Sequence, residues 1–217
     1  MSNSNAVLRL VTDNSQPAKA TKSKGGRPTN AEMGRSREHM TLTELRALLD
    51  AAKSTGRKDL RKRNHLLVLM MYRHGLRVTE AINLKWQDID LPTGSIFVRR
   101  VKGGIDSTHP LQHDENRGLA ALRKSQDNGS AFVFSDSKGK PLGATAIREL
   151  MARLGKAAGM PFRVHPHQLR HSCGYDLVDQ GVHLRQVQQW LGHVDIKHTV
   201  RYTELSGTAL KQVSTRI

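Results

Sequence analysis

The run His165-Pro166-His167-Gln168-Leu169-Arg170-His171 places three imidazoles and a guanidinium within seven residues. His167 and Arg170 are three apart, so in a helix they share one face. Arg170 offers a planar fork of donors that matches two phosphate oxygens, and His167 exchanges a proton near neutrality. Downstream, Gly192-His193 and Arg201-Tyr202-Thr203 add another imidazole and a phenol. With a free pKa near 10, a phenol is a poor nucleophile unless a base or a field of positive charge assists it. The reading therefore turns on where the remaining cations lie.

Composition supplies them in excess. Lys and Arg number 35 against 19 Asp and Glu in 217 residues, a formal net charge of +16, which points to a polyanionic partner, nucleic acid above all. Aromatic residues make up only 4%, which argues against single-strand binding by base stacking and leaves duplex as the expectation. The length suits one domain with extensions, or two small ones, and suffices for a sizeable core. The single cysteine, Cys173, lies in an apolar helical pattern and reads as a buried structural thiol of a reducing compartment. No stretch of eighteen apolar residues and no signal-peptide pattern occurs, so a cytoplasmic protein without a membrane partner is expected.

Residues 1–38 are polar, basic and poor in large apolar side chains after Val11, the composition of a disordered arm. Lys22, Lys24 and Arg27 are its candidate DNA contacts. Gly25-Gly26-Arg27-Pro28 is similar to the core of a minor-groove AT-hook but lacks the preceding arginine, and a solvated tail is the plainer reading. Order is predicted from Thr41, where Thr41-Leu42-Thr43-Glu44 forms a capping box ahead of an apolar stripe. A second helix is expected from about Leu60 to His74, stopped by Gly75, and a third from Leu76 with Arg77 at its mouth, three residues before Glu80. From Ser95 the period changes to that of a hairpin running to Leu111, with Lys102 in its turn and Arg99 and Arg100 beside it as further cations for DNA. A helix over 114–125, a short strand at Ala131-Phe132-Val133-Phe134, and helices near 143–158, 167–180, 183–191 and 195–205 complete the chain.

Arg77, Lys102, His167, Arg170, His193 and Tyr202, in this order, resemble the catalytic set of the tyrosine recombinase (phage integrase) family. The resemblance covers about residues 41–205 and rests on His74-Gly75-Leu76-Arg77-Val78-Thr79-Glu80, the run from His165 to Tyr175, Leu191-Gly192-His193, and His198-Thr199-Val200-Arg201-Tyr202-Thr203. Ser107-Thr108-His109-Pro110 and the lack of a large preceding domain make the chain most similar to short recombinases that invert fimbrial promoter segments. The resemblance implies a mainly α fold with a small antiparallel β-hairpin, the recombinase catalytic domain, over 39–205. The tail, 206–217, could pack on a neighbouring protomer.

By the same resemblance, Tyr202 would attack a phosphate of duplex DNA and leave a 3′-phosphotyrosine. Arg77 and Arg170 would hold the non-bridging oxygens, and Lys102 would protonate the departing 5′ oxygen. His167 would accept the phenol proton or orient the phosphate, His193 would donate to a phosphate oxygen, and Glu80 would support Arg77. No cofactor or metal is needed, because the ester keeps the bond energy. A homo-tetramer on two DNA sites is expected, with a DNA-bending accessory protein to replace the missing clamp domain. Three alternatives stand beside this. One is a metal hydrolase using His167, His171, His193 and His198, against which Arg170 would sit as an unhelpful cation. The others are a DNA-binding regulator that has lost the chemistry and a type IB topoisomerase-like nicking and resealing enzyme. On the favoured reading His165 and His171 are structural.

Overall fold

The computed structural model describes residues 38–101, 103–126 and 129–204, so the arm up to residue 37, Lys102 and the tail beyond Glu204 lie outside the described residues. The first helix, α1 (Leu42–Ser54), starts on the predicted capping box. Thr41 Oγ1 accepts from the Glu44 amide at 3.2 Å, and the Glu44 carboxylate accepts from the Thr41 amide at 2.6 Å. Its stripe of Leu45, Leu48 and Ala52 packs on α2 (Lys58–Arg73), whose run Leu66–Met71 is buried all round. A helix buried on every side belongs at the centre of a fold, and α2 also touches α4 (His113–Ser125) and α6 (Pro166–Asp179).

Gly75 ends α2 with a φ of +57°, and a Cβ there would meet Leu191 at 2.5 Å. Only glycine permits both the turn and the close approach. Arg77 then takes an extended conformation, and α3 (Val78–Asn83) begins two residues later than the sequence suggested. The reason is local: Arg77 takes the extended N-cap conformation, and the Glu80 carboxylate accepts its amide at 2.8 Å.

A 3₁₀ turn (Trp86–Asp88) leads into an antiparallel sheet of order β1 (Ile89–Asp90), β2 (Ser95–Val98), β3 (Ser107–Pro110). The predicted hairpin is β2 and β3, in the register Ile96 to His109 and Val98 to Ser107. Two-residue β1 is too short to leave a period in the sequence. The predicted strand at 131–134 forms a single isolated bridge, Lys85 with Phe132, and a second bridge, Ser135 with Pro141, lies just beyond it. Val133 and Phe134 are fully buried there, so their apolarity records burial in the core rather than membership of the sheet.

After α5 (Ala144–Ala157), the chain enters α6, α7 (Leu184–Leu191) and α8 (Lys197–Glu204). The interior divides in two. A large core joins α1 to α5 and the sheet and reaches Leu169 of α6, and a smaller one gathers Cys173, Tyr175, Val187, Leu191 and Tyr202 among the last three helices. Among the described residues, no helix is long and apolar enough to cross a membrane.

Candidate active site

Glu80 is the anchor of the site. Its carboxylate is 1% exposed and accepts from the Arg77 guanidinium at 2.6 Å and the Arg100 guanidinium at 2.8 Å, as well as from the Arg77 amide. Burial alone pushes a carboxyl's pKa up, but Arg100, the Arg77 hydrogen bonds and Arg170 outweigh it and hold Glu80 below the usual carboxylate range. Arg100 is as buried as its partner. Its guanidinium, 0% exposed, donates to the carbonyls of His74, Gly75 and Trp190 besides Glu80. The expectation that Arg100 contacts DNA is therefore corrected: its donors close a core junction between the turn after α2 and the end of α7. Arg99 is exposed, with its guanidinium on Asp88 at 3.0 Å and over the Phe97 ring.

Arg170 projects from α6 into the same junction. It donates to the Gly75 carbonyl at 2.5 Å and the Leu191 carbonyl at 2.6 Å, so the turn after α2 and the end of α7 fix its plane. Burial, then Arg77 and Arg100 nearby, lower its pKa to about 10, which leaves it charged at neutral pH. Three guanidiniums around one carboxylate leave a surplus of positive charge on the open side. That surplus faces a cleft of about 330 Å³ lined by Arg77, His167, Arg170, His193 and Tyr202. The five predicted catalytic residues that lie within the described chain thus share one cleft, although they come from positions 77 to 202. A second cleft, of about 430 Å³, between α2, α6 and Trp190 contains none of them.

The remaining imidazoles lie at helix ends. Gly192 closes α7 with a φ of +65°, and a Cβ there would meet Arg100 Cγ at 2.5 Å and the Ile105 carbonyl at 2.7 Å. Gly192 is thereby set against the connection between β2 and β3, its carbonyl accepting from the Ile105 amide at 3.4 Å, and His193 follows it into the cleft. His193 Nδ1 lies 2.9 Å from Thr199 Oγ1, and burial first, then Arg170 and Arg77, lower its pKa to about 3. A neutral imidazole that accepts from Thr199 at Nδ1 carries its proton on Nε2, free to donate to a bound oxyanion. His167 is exposed on the first turn of α6.

Tyr202, 1% exposed, heads the largest fully buried side chains among the described residues. Its ring lies over Gly174, where a Cβ would come within 2.6 Å of Cζ, and Tyr175 meets it edge-on with centroids 4.9 Å apart. His171 Nδ1 stands 3.2 Å from the phenol oxygen. Burial raises the phenol to about 12 despite the opposing pull of Arg170 and Arg201, so at neutral pH Tyr202 is protonated. The expectation that His171 is merely structural is thus revised, since it sits on the nucleophile candidate. Thr199, Gly174 and His171 are the contributions the sequence reading missed. The four-residue spacing of His167 and His171 was visible, but it suggested metal ligands; among the described residues, no three His, Cys, Asp or Glu are grouped to hold a metal ion. The cysteine is buried as expected, its thiol pushed up to about 12 by burial.

The arrangement of helices and sheet is that of tyrosine recombinase catalytic domains. The chain belongs to the phage integrase family, whose sequence model matches residues 38–208. It is 36% identical over 174 residues to the type 1 fimbriae regulatory protein FimE of Escherichia coli K12, covering 77% of this chain and 85% of the relative. The corresponding FimB is 38% identical over 178 residues, covering 80% and 88%. Among solved structures, the XerA recombinase superposes with a TM-score of 0.69 at 29% identity, covering 80% of this chain. XerH, solved as a post-cleavage complex with its palindromic difH substrate, gives 0.71 at 25%, also covering 80%. The chain spans 62% and 51% of the length of those two solved chains.

Proposed function

We propose that this protein is a site-specific DNA recombinase that cleaves and rejoins duplex DNA through a 3′-phosphotyrosine at Tyr202. One observation carries the reading: a buried tyrosine opens onto the same cleft as Arg77, Arg170 and His193. A phosphodiester seated there meets two guanidiniums on its non-bridging oxygens and the Nε2–H of His193, a fixed field aimed at the charge that develops as phosphorus becomes five-coordinate. His167, exposed at the rim, adds a donor to the phosphate. Lys102, in the hairpin turn, protonates the 5′ oxygen as it leaves, without which the alkoxide is a poor leaving group. The bond energy stays in the tyrosyl ester, so rejoining needs neither cofactor nor metal.

FimE, FimB, XerA and XerH support this assignment by likeness, and the resemblance of the chain's own motifs to the short recombinases that invert promoter segments favours inversion. Duplex DNA is the partner, bound by a tetramer across two sites in the cytoplasm, with Lys22, Lys24 and Arg27 of the N-terminal arm, together with Arg99, on the phosphate backbone. The tail after residue 205 packs on a neighbouring protomer, and a DNA-bending protein assists assembly on the site. The test is a covalent trap. Nicked fragments of the host genome are incubated with the protein, denatured, and recovered as protein–DNA adducts whose ends are sequenced. The reading expects one recurrent junction sequence and no adduct from Tyr202→Phe; adducts that persist in that variant contradict it.

A further inference from the structure

The nucleophile already has a hydrogen-bond partner, and it is not the histidine that the helical spacing singled out. Tyr202 Oη lies 3.2 Å from His171 Nδ1, one turn along α6 from His167. The ring positions are held on both sides. Gly174, one turn further, leaves room for the phenol ring, and Tyr175 and His193 pack against it with centroids 4.9 and 6.3 Å away. From α6, a ring one turn from Gly174 reaches the phenol oxygen rather than the ring face. His171 is also only partly exposed, shielded from the solvent that would otherwise take the proton.

We infer that His171 accepts the phenol hydrogen of Tyr202 at Nδ1 and takes that proton as Tyr202 Oη bonds to phosphorus. The inference rests on the recombinase reading and adds to it a base at a stated atom. In the forward step the Oη–P bond forms, the P–O5′ bond breaks, the phenol proton passes to His171, and the departing O5′ takes its proton from the general acid. In rejoining, the imidazolium returns the proton to Oη as the tyrosyl ester breaks. Each transfer is local, and none needs a further reactant.

The electrostatics fit a base that is switched on by substrate. Without DNA, burial lowers His171 to about 4, and the groups around it push the same way: His167 and Arg170 from its own helix, His165 at the N-cap of that helix, and His39 from the segment before α1. Tyr202 faces it from α8 as a neutral phenol. A neutral imidazole is the form that can accept a hydrogen bond. A phosphodiester anion seated on Arg170 and beside His167 offsets the two largest of those charges, and raises the basicity of Nδ1 only when the target of attack is in place.

The test measures adduct formation on the junction duplex recovered with wild-type protein. His171→Phe keeps the ring volume without an acceptor, and His171→Asn keeps a carbonyl oxygen near Nδ1 without a base. Positioned bases contribute on the order of 10²-fold or more, so adduct formation is expected to slow by about 10²-fold in His171→Phe at unchanged DNA affinity, with His171→Asn between it and wild type. Two readouts separate a base from a packing residue. A fluorinated tyrosine at 202, whose phenol is more acidic, restores much of the loss in His171→Phe and little in Arg170→Lys. Replacing the bridging 5′ oxygen by sulfur, a leaving group that needs no acid, leaves the His171→Phe defect in place. Cleavage by His171→Phe within about 3-fold of wild type, or a defect indifferent to phenol acidity, overturns the role of His171 alone. Wild-type protein that forms no adduct with any DNA overturns the recombinase reading itself.

Discussion

The two halves of the site are held by different physics. On the α2–α3 and hairpin side, Arg77 and Arg100 share Glu80, Arg170 is pinned by two carbonyls, and each guanidinium has its plane fixed by charged or main-chain partners. On the α6–α8 side, Tyr202 is placed by packing on Gly174 and Tyr175 and by one hydrogen bond to His171. The first half belongs to the large core and the second to a small cluster of five buried residues. A cradle for charge is thus built rigidly, while the group that must move during the reaction is attached lightly. Substitutions in the first half should therefore cost stability, and those in the second should cost rate.

Glu80→Ala is the severest break. It leaves Arg100 buried without its counter-ion, a defect of about 3–5 kcal/mol, read as a lowered denaturant midpoint. The equivalent removal in the second half, Tyr202→Phe, deletes one hydrogen bond and shifts stability by about 1 kcal/mol, while abolishing the adduct. Comparable losses of stability for the two variants would erase the distinction. Gly174→Ala lies between them, because its Cβ would come within 2.6 Å of the Tyr202 ring. Overpacking of this kind costs about 1–3 kcal/mol, and the displaced phenol should slow cleavage well beyond that loss of stability.

Acid sharpens the comparison from another side. His171 and His193 are lowered to about 4 and about 3 in the fold, against 6.5 for the unfolded chain. Between those values the unfolded chain binds more protons, so stability rises with pH there. The contribution is complete above about 6.5 and is lost as pH falls towards 3. His109, stacked on Trp190 and lowered to about 2 by burial, adds the same sign from β3. Denaturant midpoints between pH 7 and pH 4 should fall steadily, and His193→Asn should flatten the slope.

The smallest effect is expected at the surface. Arg99→Ala removes an exposed cation whose ion pair with Asp88 has little net worth. The folded state should hardly change, while the salt dependence of DNA binding should weaken by about one phosphate contact, ~0.9 in the log–log slope. An unchanged slope would place the DNA elsewhere.

Much of this was legible in the sequence because the signals were local. The capping box at Thr41, the stop at Gly75, the hairpin period and the spacing of His167, Arg170 and Glu80 from Arg77 each depend on residues a few positions apart. What was missed depends on contacts across the fold. Arg100 looks like any hairpin cation until Glu80, the His74 carbonyl and Trp190 close around it. Gly174 reads as a helix weak point until the Tyr202 ring is found lying on it. His171 is separated from Tyr202 by 31 positions, and its neighbour His167 gives the same helical signal. The strand expected at 131–134 failed for a related reason, since an apolar run shows burial and not which partner provides it.

The most direct measurement is the site of covalent attachment. The chain has three tyrosines, Tyr72, Tyr175 and Tyr202. Tyr72 donates its hydroxyl to Asp176 at 2.7 Å, and the Tyr175 ring meets the His39 ring at a tilt, with centroids 3.9 Å apart. Protein trapped on nicked DNA, digested with nuclease and protease and mapped by mass spectrometry should carry its nucleotide remnant on Tyr202 alone. A remnant on Tyr72, on Tyr175 or on any other side chain would contradict the assignment of the nucleophile.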